Sequence, residues 1–397
     1  MRSARRWAAL GGAVAVLFLA MWIVVPAPTR ALLPLGVGAP EVCAWLAVAA
    51  LVAGALAAID ARRSRVARVA LACASAALLL AASPLLRFPG TARRFDAAMD
   101  AALGPDRLRG VPAEVRAGMR PAPLVAGDLF RGIGASAART DRGIVFARPG
   151  GVPLTVDVYR PMKPGRYPAV VQIYGGAWQR GAPGDFSGFA RYLAARGYVV
   201  FAIDYRHAPR WRWPAQRDDV RAALAWVRAH AAEYDADASR MALLGRSAGA
   251  QLAMVAAYEP GAPPVRAVVS LYGPVNLAEG YRTPPRPDPL RVRGVLEAFI
   301  GGTPSELPAR YREASPISYA TRRLPPTLLV YGGRDHIVEP RFAAALHARL
   351  RATGTVSALL MIPWSEHAFD AVPSGPGAQL ALFHVEQFLA WALHRAR

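Results

Sequence analysis

Lysine is almost missing from this chain of 397 residues. Of 48 basic side chains one is a lysine, Lys163, and the rest are arginine. Acidic side chains are also few, 27, which leaves a formal net charge of +21. Such an excess suits a nucleic-acid partner only when the cations gather into a stripe or accompany a binding motif. Here the arginines are scattered and no such motif is present, so nucleic acid is excluded as a partner. Heavy use of Arg, Ala, Gly and Pro with so little Lys fits the codon usage of a GC-rich genome. Cysteine is scarce too. Cys43 and Cys73 both lie in apolar stretches and the remainder has none. That rules out a disulfide framework or a cysteine metal site beyond those stretches, and is compatible with either redox compartment.

Apolar residues are plentiful: 54% of the chain is hydrophobic. Three runs stand out, at 7–25, 42–59 and 66–86. Each has roughly the ~20 residues that a helix needs to cross a bilayer. Arg68 is the one charge inside them, and no polar face of the kind a surface helix shows is visible. A signal peptide is the rival reading of the first run, and two further runs directly behind it favour a multi-pass anchor. Arg2, Arg5 and Arg6 precede the first run, and Arg62, Arg63 and Arg65 join the second to the third. The loop 26–41 holds only Arg30. Basic residues stay on the cytoplasmic side. The expectation is therefore three transmembrane helices in the cell membrane, with everything after residue 86 outside. Arg87, Arg93 and Arg94 weigh against that orientation. Residues 1–86 form the anchor and 87–140 a linker. Within the linker, 91–103 is expected as a short amphipathic helix with Phe95 and Met99 on one face, lying on the membrane or packed as a connector.

From about residue 141 strand and helix signals alternate. Strands are expected at 143–147, 154–159, 169–174, 198–203, 241–244, 265–271, 327–331 and 357–362. Helices are expected at 186–196, 214–234, 250–258, 340–352 and 379–394. Such alternation gives a mainly parallel sheet covered by helices on both faces, with ligands at the carboxyl ends of the strands. The segment 274–325 interrupts this rhythm. It is rich in proline and carries one amphipathic helix with Val292, Val295, Leu296 and Phe299. An insertion of this kind serves as a lid.

Three motifs fall at strand ends. Gly245-Arg246-Ser247-Ala248-Gly249 joins a buried strand to a helix. Gly-x-Ser-x-Gly in that setting is a nucleophile elbow, in which small residues let strand and helix pass closely and the serine is pushed out. Tyr174-Gly175-Gly176-Ala177-Trp178 also follows a strand. Two glycines can aim backbone N–H groups at one point, where an oxyanion develops in acyl transfer. Each such donor is worth roughly 3–4 kcal/mol. Gly176, Ala177 and Ala248 are the expected donors. Gly332-Gly333-Arg334-Asp335 supplies a carboxylate that can orient a histidine. Asp204, Asp218 and Asp219 are alternatives, but the order nucleophile, acid, histidine favours Asp335. Glu339 reads as the first turn of a helix, where acids are favoured anyway. Of seven histidines, only His367 lies on a loop after a strand and downstream of a candidate acid. It can take the proton from Ser247 and return it to the leaving group.

These motifs, with Asp204-Tyr205-Arg206-His207-Ala208-Pro209, 299–303 and 314–316, resemble the α/β-hydrolase superfamily over residues 143–395. The likeness is to its hormone-sensitive-lipase-like esterases and related carboxylesterases. The resemblance implies an α/β-hydrolase fold over 141–397 and a Ser-Asp-His triad of Ser247, Asp335 and His367. It also implies hydrolysis of carboxylic esters through an acyl-enzyme without metal or cofactor. Tyr174 is a departure, because the family has histidine there to brace the oxyanion loop. Trp178, Tyr272 and Trp364 are expected to line the substrate pocket, and the expected partner is a small ester, with lipophilic esters favoured by the anchor. The same triad could serve a formamidase-type amide hydrolase or an acyltransferase. The fold could also have been kept by a non-catalytic scaffold, against which the complete set of motifs argues.

Overall fold

The computed structural model describes residues 2–395. Four helices come first: α1 (Arg2–Met21), α2 (Leu33–Glu41), α3 (Cys43–Ala58) and α4 (Arg65–Leu103). Helices α1, α3 and α4 meet through alanines. Ala9, Ala13, Ala53, Ala57, Ala70 and Ala74 form a buried cluster between them. Larger apolar side chains, including Trp7, Phe18, Trp45, Leu51, Val52, Leu79 and Leu86, point outward and are exposed. Small residues inside and large apolar residues outside is how helices pack when lipid is their solvent. Among the described residues two helices are long and apolar enough to cross a membrane, or three spans if α2 and α3, bent by 81° to each other, count as one.

The third apolar run differs from its expected form. Instead of stopping at residue 86, α4 runs unbroken for 39 residues and absorbs the separate helix expected at 91–103. Pro84 and Pro89 lie inside it. Pro84 has no N–H for the Leu80 carbonyl. The Ser83 hydroxyl donates to that carbonyl instead, at 2.8 Å. Beyond this point the helix changes partners: Phe88, Phe95 and Met99 are buried in the core of the following domain.

Two short helices, α5 (Ala113–Gly118) and α6 (Asp128–Arg131), lead into a sheet of eight strands. These are β1 (Arg139–Ala147), β2 (Leu154–Arg160), β3 (Tyr167–Ile173), β4 (Val199–Ile203), β5 (Ala236–Arg246), β6 (Ala267–Leu271), β7 (Thr327–Gly332) and β8 (Ser357–Ile362). Their order is β1-β2-β4-β3-β5-β6-β7-β8. Pairs β1/β2 and β2/β4 are antiparallel and all others parallel. Every residue of β4 and β6 is buried, so both sheet faces are covered. Helices α7 (Ser187–Ala194), α8 (Ala215–His230), α9 (Ala248–Tyr258), α13 (Pro340–Ala352) and α14 (Pro376–His394) supply that cover.

Between β6 and β7 the chain makes three short helices rather than one: α10 (Leu277–Arg282), α11 (Val292–Ile300) and α12 (Pro308–Glu313). Helix α11 is the expected amphipathic one, with Leu296, Phe299 and Ile300 buried. Its neighbours have six residues each, too few to display a helical period.

Candidate active site

Strand β5 delivers Ser247 to α9 through a turn with little room. Ser247 takes φ 50° and ψ −121°, a conformation L-residues rarely hold. A Cβ on Gly245 would lie 2.3 Å from the Gly249 carbonyl oxygen, and one on Gly249 would lie 2.2 Å from the Tyr174 oxygen. Glycine is therefore obligatory at both positions, and the serine side chain is left standing at the sheet edge.

Loops after β7 and β8 bring the other two expected residues to it. His367 Nε2 is 2.9 Å from Ser247 Oγ, and His367 Nδ1 is 2.8 Å from Asp335 Oδ2. The remaining oxygen of Asp335 accepts the N–H groups of Ile337, at 2.9 Å, and Val338, at 2.7 Å. The carboxylate is thus buried but fully bonded, and its orientation is set. Burial, the largest single influence, disfavours a charged imidazole, but the carboxylates of Asp335, Glu366 and Asp370 together outweigh it and hold the His367 pKa above the usual value.

Glu366 is a neighbour that sequence reasoning missed. Its carboxylate accepts the N–H groups of His367, at 2.8 Å, and His336, at 3.0 Å, and pairs with His336 Nδ1. It ties the loop of the candidate base to the loop of the candidate acid. The one available signal was its place directly before His367. Asp370 was missed as well. It holds Arg246 Nε at 2.5 Å and accepts the Tyr272 hydroxyl.

The loop after β3 lies against the elbow. A Cβ on Gly175 would stand 2.9 Å from the Arg246 carbonyl oxygen. Gly176, Ala177 and Trp178 all have positive φ, at 113°, 56° and 58°. Among the described residues the N–H groups of Gly176 and Ala177 donate to no protein acceptor. Tyr174 braces this loop from behind. Its hydroxyl donates to Asp204 Oδ1 at 2.5 Å and lies 2.9 Å from His207 Nε2. Its ring stacks on Tyr205 with centroids 4.5 Å apart. The Tyr205 hydroxyl in turn donates to the carbonyls of Tyr174 and Gly175, at 3.3 and 3.4 Å. Burial raises the Tyr174 pKa and keeps its hydroxyl protonated, hence a donor.

A cavity of about 80 Å³ opens over Ser247, lined by Ala177, Trp178, Ala248, Val275, Leu296, Ile337 and Phe342 among others. Of the three aromatics expected there, only Trp178 lines it. Trp178 is also structural: its Nε1–H donates to Gln251 at 2.8 Å and its ring stacks on Phe299 at 4.1 Å. Tyr272 packs its ring on His367 at 4.7 Å and sends its hydroxyl to Asp370. Trp364 points to the opposite side and meets Phe88 of α4 at 6.0 Å. Neither of these two lines the cavity. Among the described residues no group of three or more His, Cys, Asp or Glu side chains could hold a metal ion.

A family model described as BD-FAE matches residues 156–350. A probable carboxylic ester hydrolase of Mycobacterium tuberculosis, LipM, is 32% identical over 319 residues, which span 74% of this chain and 71% of LipM. Esterase LipC of the same organism is 34% identical over 267 residues, 61% of this chain and 63% of LipC. Among solved structures, a thermophilic esterase from Thermogutta terrifontis with butyrate bound is 25% identical. It covers 64% of this chain and 93% of its own, with a TM-score of 0.52. With the eight-stranded, mainly parallel sheet, these likenesses place the chain in the α/β-hydrolase superfamily, among its esterases, and make it a carboxylic ester hydrolase.

Proposed function

We propose that Ser247, His367 and Asp335 form the catalytic triad of this esterase, and that helices α1 to α4 hold it on the outer side of a membrane. The observation that carries the triad is the hydrogen-bonded line from Asp335 through His367 to Ser247, with separations of 2.8 and 2.9 Å. In this mechanism His367 removes the Ser247 proton as the hydroxyl attacks the ester carbonyl. The free N–H groups of Gly176 and Ala177, with that of Ala248 at the start of α9, receive the oxyanion. The proton passes to the leaving alcohol, and an acyl-serine remains. Water, deprotonated by His367, then releases the acid. Asp335 fixes the tautomer that leaves Nε2 free to accept and steadies the imidazolium.

The small apolar cavity beside Ser247 favours a short acyl group, and the butyrate held by the Thermogutta esterase points the same way. Labelling with a fluorophosphonate tests the nucleophile. Wild-type protein should react and Ser247→Ala should not, while hydrolysis of p-nitrophenyl esters should peak at short acyl chains. A folded wild-type protein that stays unlabelled would remove the triad reading.

Membrane attachment is supported by the inside-out packing of α1, α3 and α4. Its direction follows from where the charges sit. Asp60 pairs with Arg5 at 2.7 Å and Arg6 at 3.3 Å, which holds the amino terminus of α1 beside the α3–α4 turn. Arg62, Arg63 and Arg65 belong to that same end. At the opposite end, the carbonyls of Val24 and Ala27 receive Arg334 and His336 of the esterase domain. A basic end in the cytoplasm therefore puts the esterase outside.

A further inference from the structure

A second cavity, about 240 Å³ in volume, lies on the far side of the elbow from the ester pocket. Phe186, Phe189, Leu271, Leu382 and Val385 make most of its wall apolar. Three charged side chains stand among them, those of Arg191, Arg246 and Asp370. Arg246, the residue before Ser247, is 1% exposed and is one of the residues that line the cavity. Nε is used on Asp370, and the plane sits over the rings of Phe186, at 4.1 Å, and Phe189, at 4.5 Å. Its Nη1 is buried and has no hydrogen-bond partner. A buried donor left unsatisfied is costly, and more so when it carries charge.

The charge balance of the wall points the same way. Arg246 and Arg191 both line the cavity, against the single carboxylate of Asp370. Arg191 makes no ion pair among the described residues, and its guanidinium lies 5.8 Å from the Tyr159 ring. A wall with one cation in excess favours an anion. Water alone is a poor occupant, since a buried water needs several polar partners and this wall is mostly apolar. A carboxylate accepts strong, charge-assisted N–H bonds from a guanidinium, which suits the donors of Arg246 that Asp370 leaves unused.

We propose that this cavity binds a monocarboxylic acid with an apolar tail, its carboxylate on Arg246 and its chain along Phe189, Leu382 and Val385. The site is separate from the ester pocket, whose lining shares none of these residues. It is linked to that pocket through the chain, because Arg246 adjoins Ser247. It is linked also through Asp370, which holds the Tyr272 hydroxyl beneath His367.

The test uses the full chain in lipid nanodiscs and an octanoic acid that carries a diazirine, with the matching octanol as uncharged control. Irradiation should attach the acid to peptides covering 186–192 and 378–385, and excess octanoate should compete. The alcohol should label these peptides roughly tenfold less, as expected for loss of a charge-assisted hydrogen bond. Arg246→Met should lower acid labelling by a similar factor. Leu382→Trp fills the cavity without touching Arg246 and should abolish labelling while hydrolysis of p-nitrophenyl acetate persists. Labelling confined to 275–296 around the ester pocket, or to the membrane helices, would overturn the proposal. So would equal labelling by acid and alcohol, or labelling that survives Leu382→Trp. None of these readouts depends on which serine performs hydrolysis.

Discussion

Replacing Tyr174 with phenylalanine keeps the ring that stacks on Tyr205 and removes only the hydroxyl. Asp204 and His207 then each lose a buried partner. The expected cost is about 1–3 kcal/mol of stability, the usual range for a buried polar group left unsatisfied. Because the same hydroxyl holds the strand end that leads into Gly175 and Gly176, kcat/KM for a p-nitrophenyl ester should fall roughly tenfold with KM little altered. A second residue-scale expectation concerns protons. His367 can act as a base only when neutral; burial lowers its pKa, but the carboxylates of Asp335, Glu366 and Asp370 together place it above the ordinary imidazole value. The kcat/KM profile should therefore decline as pH drops, with a midpoint above about 6.5. Glu366 contributes to that upward shift through its charge. Glu366→Gln should move the midpoint to lower pH, whereas a merely structural role would lower the rate without moving it.

Between elements, the main unexpected contact is Glu41 at the end of α2. Its carboxylate accepts the Ser365 hydroxyl at 2.6 Å and the N–H groups of Gly377 and Ala378 at 2.8 and 3.2 Å. It caps the amino terminus of α14 from another helix, where its oxygens meet unsatisfied N–H donors of the first turn. Ser365 is two residues from His367, so α2 and the loop of His367 share one bonded cluster. Glu41→Ala should cost about 2–4 kcal/mol, read as a lower thermal midpoint in detergent or nanodiscs. Nothing in the local text near residue 41 announces this contact, since its partners lie 324 to 337 positions away. By contrast, strands β6 to β8 and helix α13 stood in the text nearly residue for residue. Their apolar runs and the glycine and proline boundaries that flank them are local signals, and tertiary packing had little to override.

For the whole molecule, the proposed topology places the esterase outside a membrane. The charge of the far end and the contacts of the near end both favour the outside. Alkaline phosphatase fused after the α14 terminus should be active in a bacterial host, and a fluorescent protein at the same place should be dark. The reverse pattern would invert the topology and leave the esterase chemistry untouched. The N-terminal helices and the esterase domain also share a core, because α4 passes from the Ala70 and Ala74 seam to Phe88, Phe95 and Met99 without a break. A division at residue 86 into anchor and linker, natural from hydropathy, cuts through a continuous helix. Hydropathy reports what surrounds a residue and is silent on whether the backbone continues.

Periodicity, turn residues and the spacing of three glycine-bearing motifs were enough to establish the sheet, the elbow and the three side chains now found within hydrogen-bond reach. Each of these depends on neighbours in the chain, or on the rule that parallel strands gather their carboxyl ends along one edge. The direction of a large aromatic does not depend on neighbours in this way. Trp364 turned toward Phe88, and Tyr272 went beneath His367 rather than into the pocket, because space among distant helices decided where each ring could fit. The cap of α14, the brace under Tyr174 and the buried guanidinium of Arg246 are of the same kind. They are pairings between segments that only folding brings together, and a one-dimensional pattern holds no record of them.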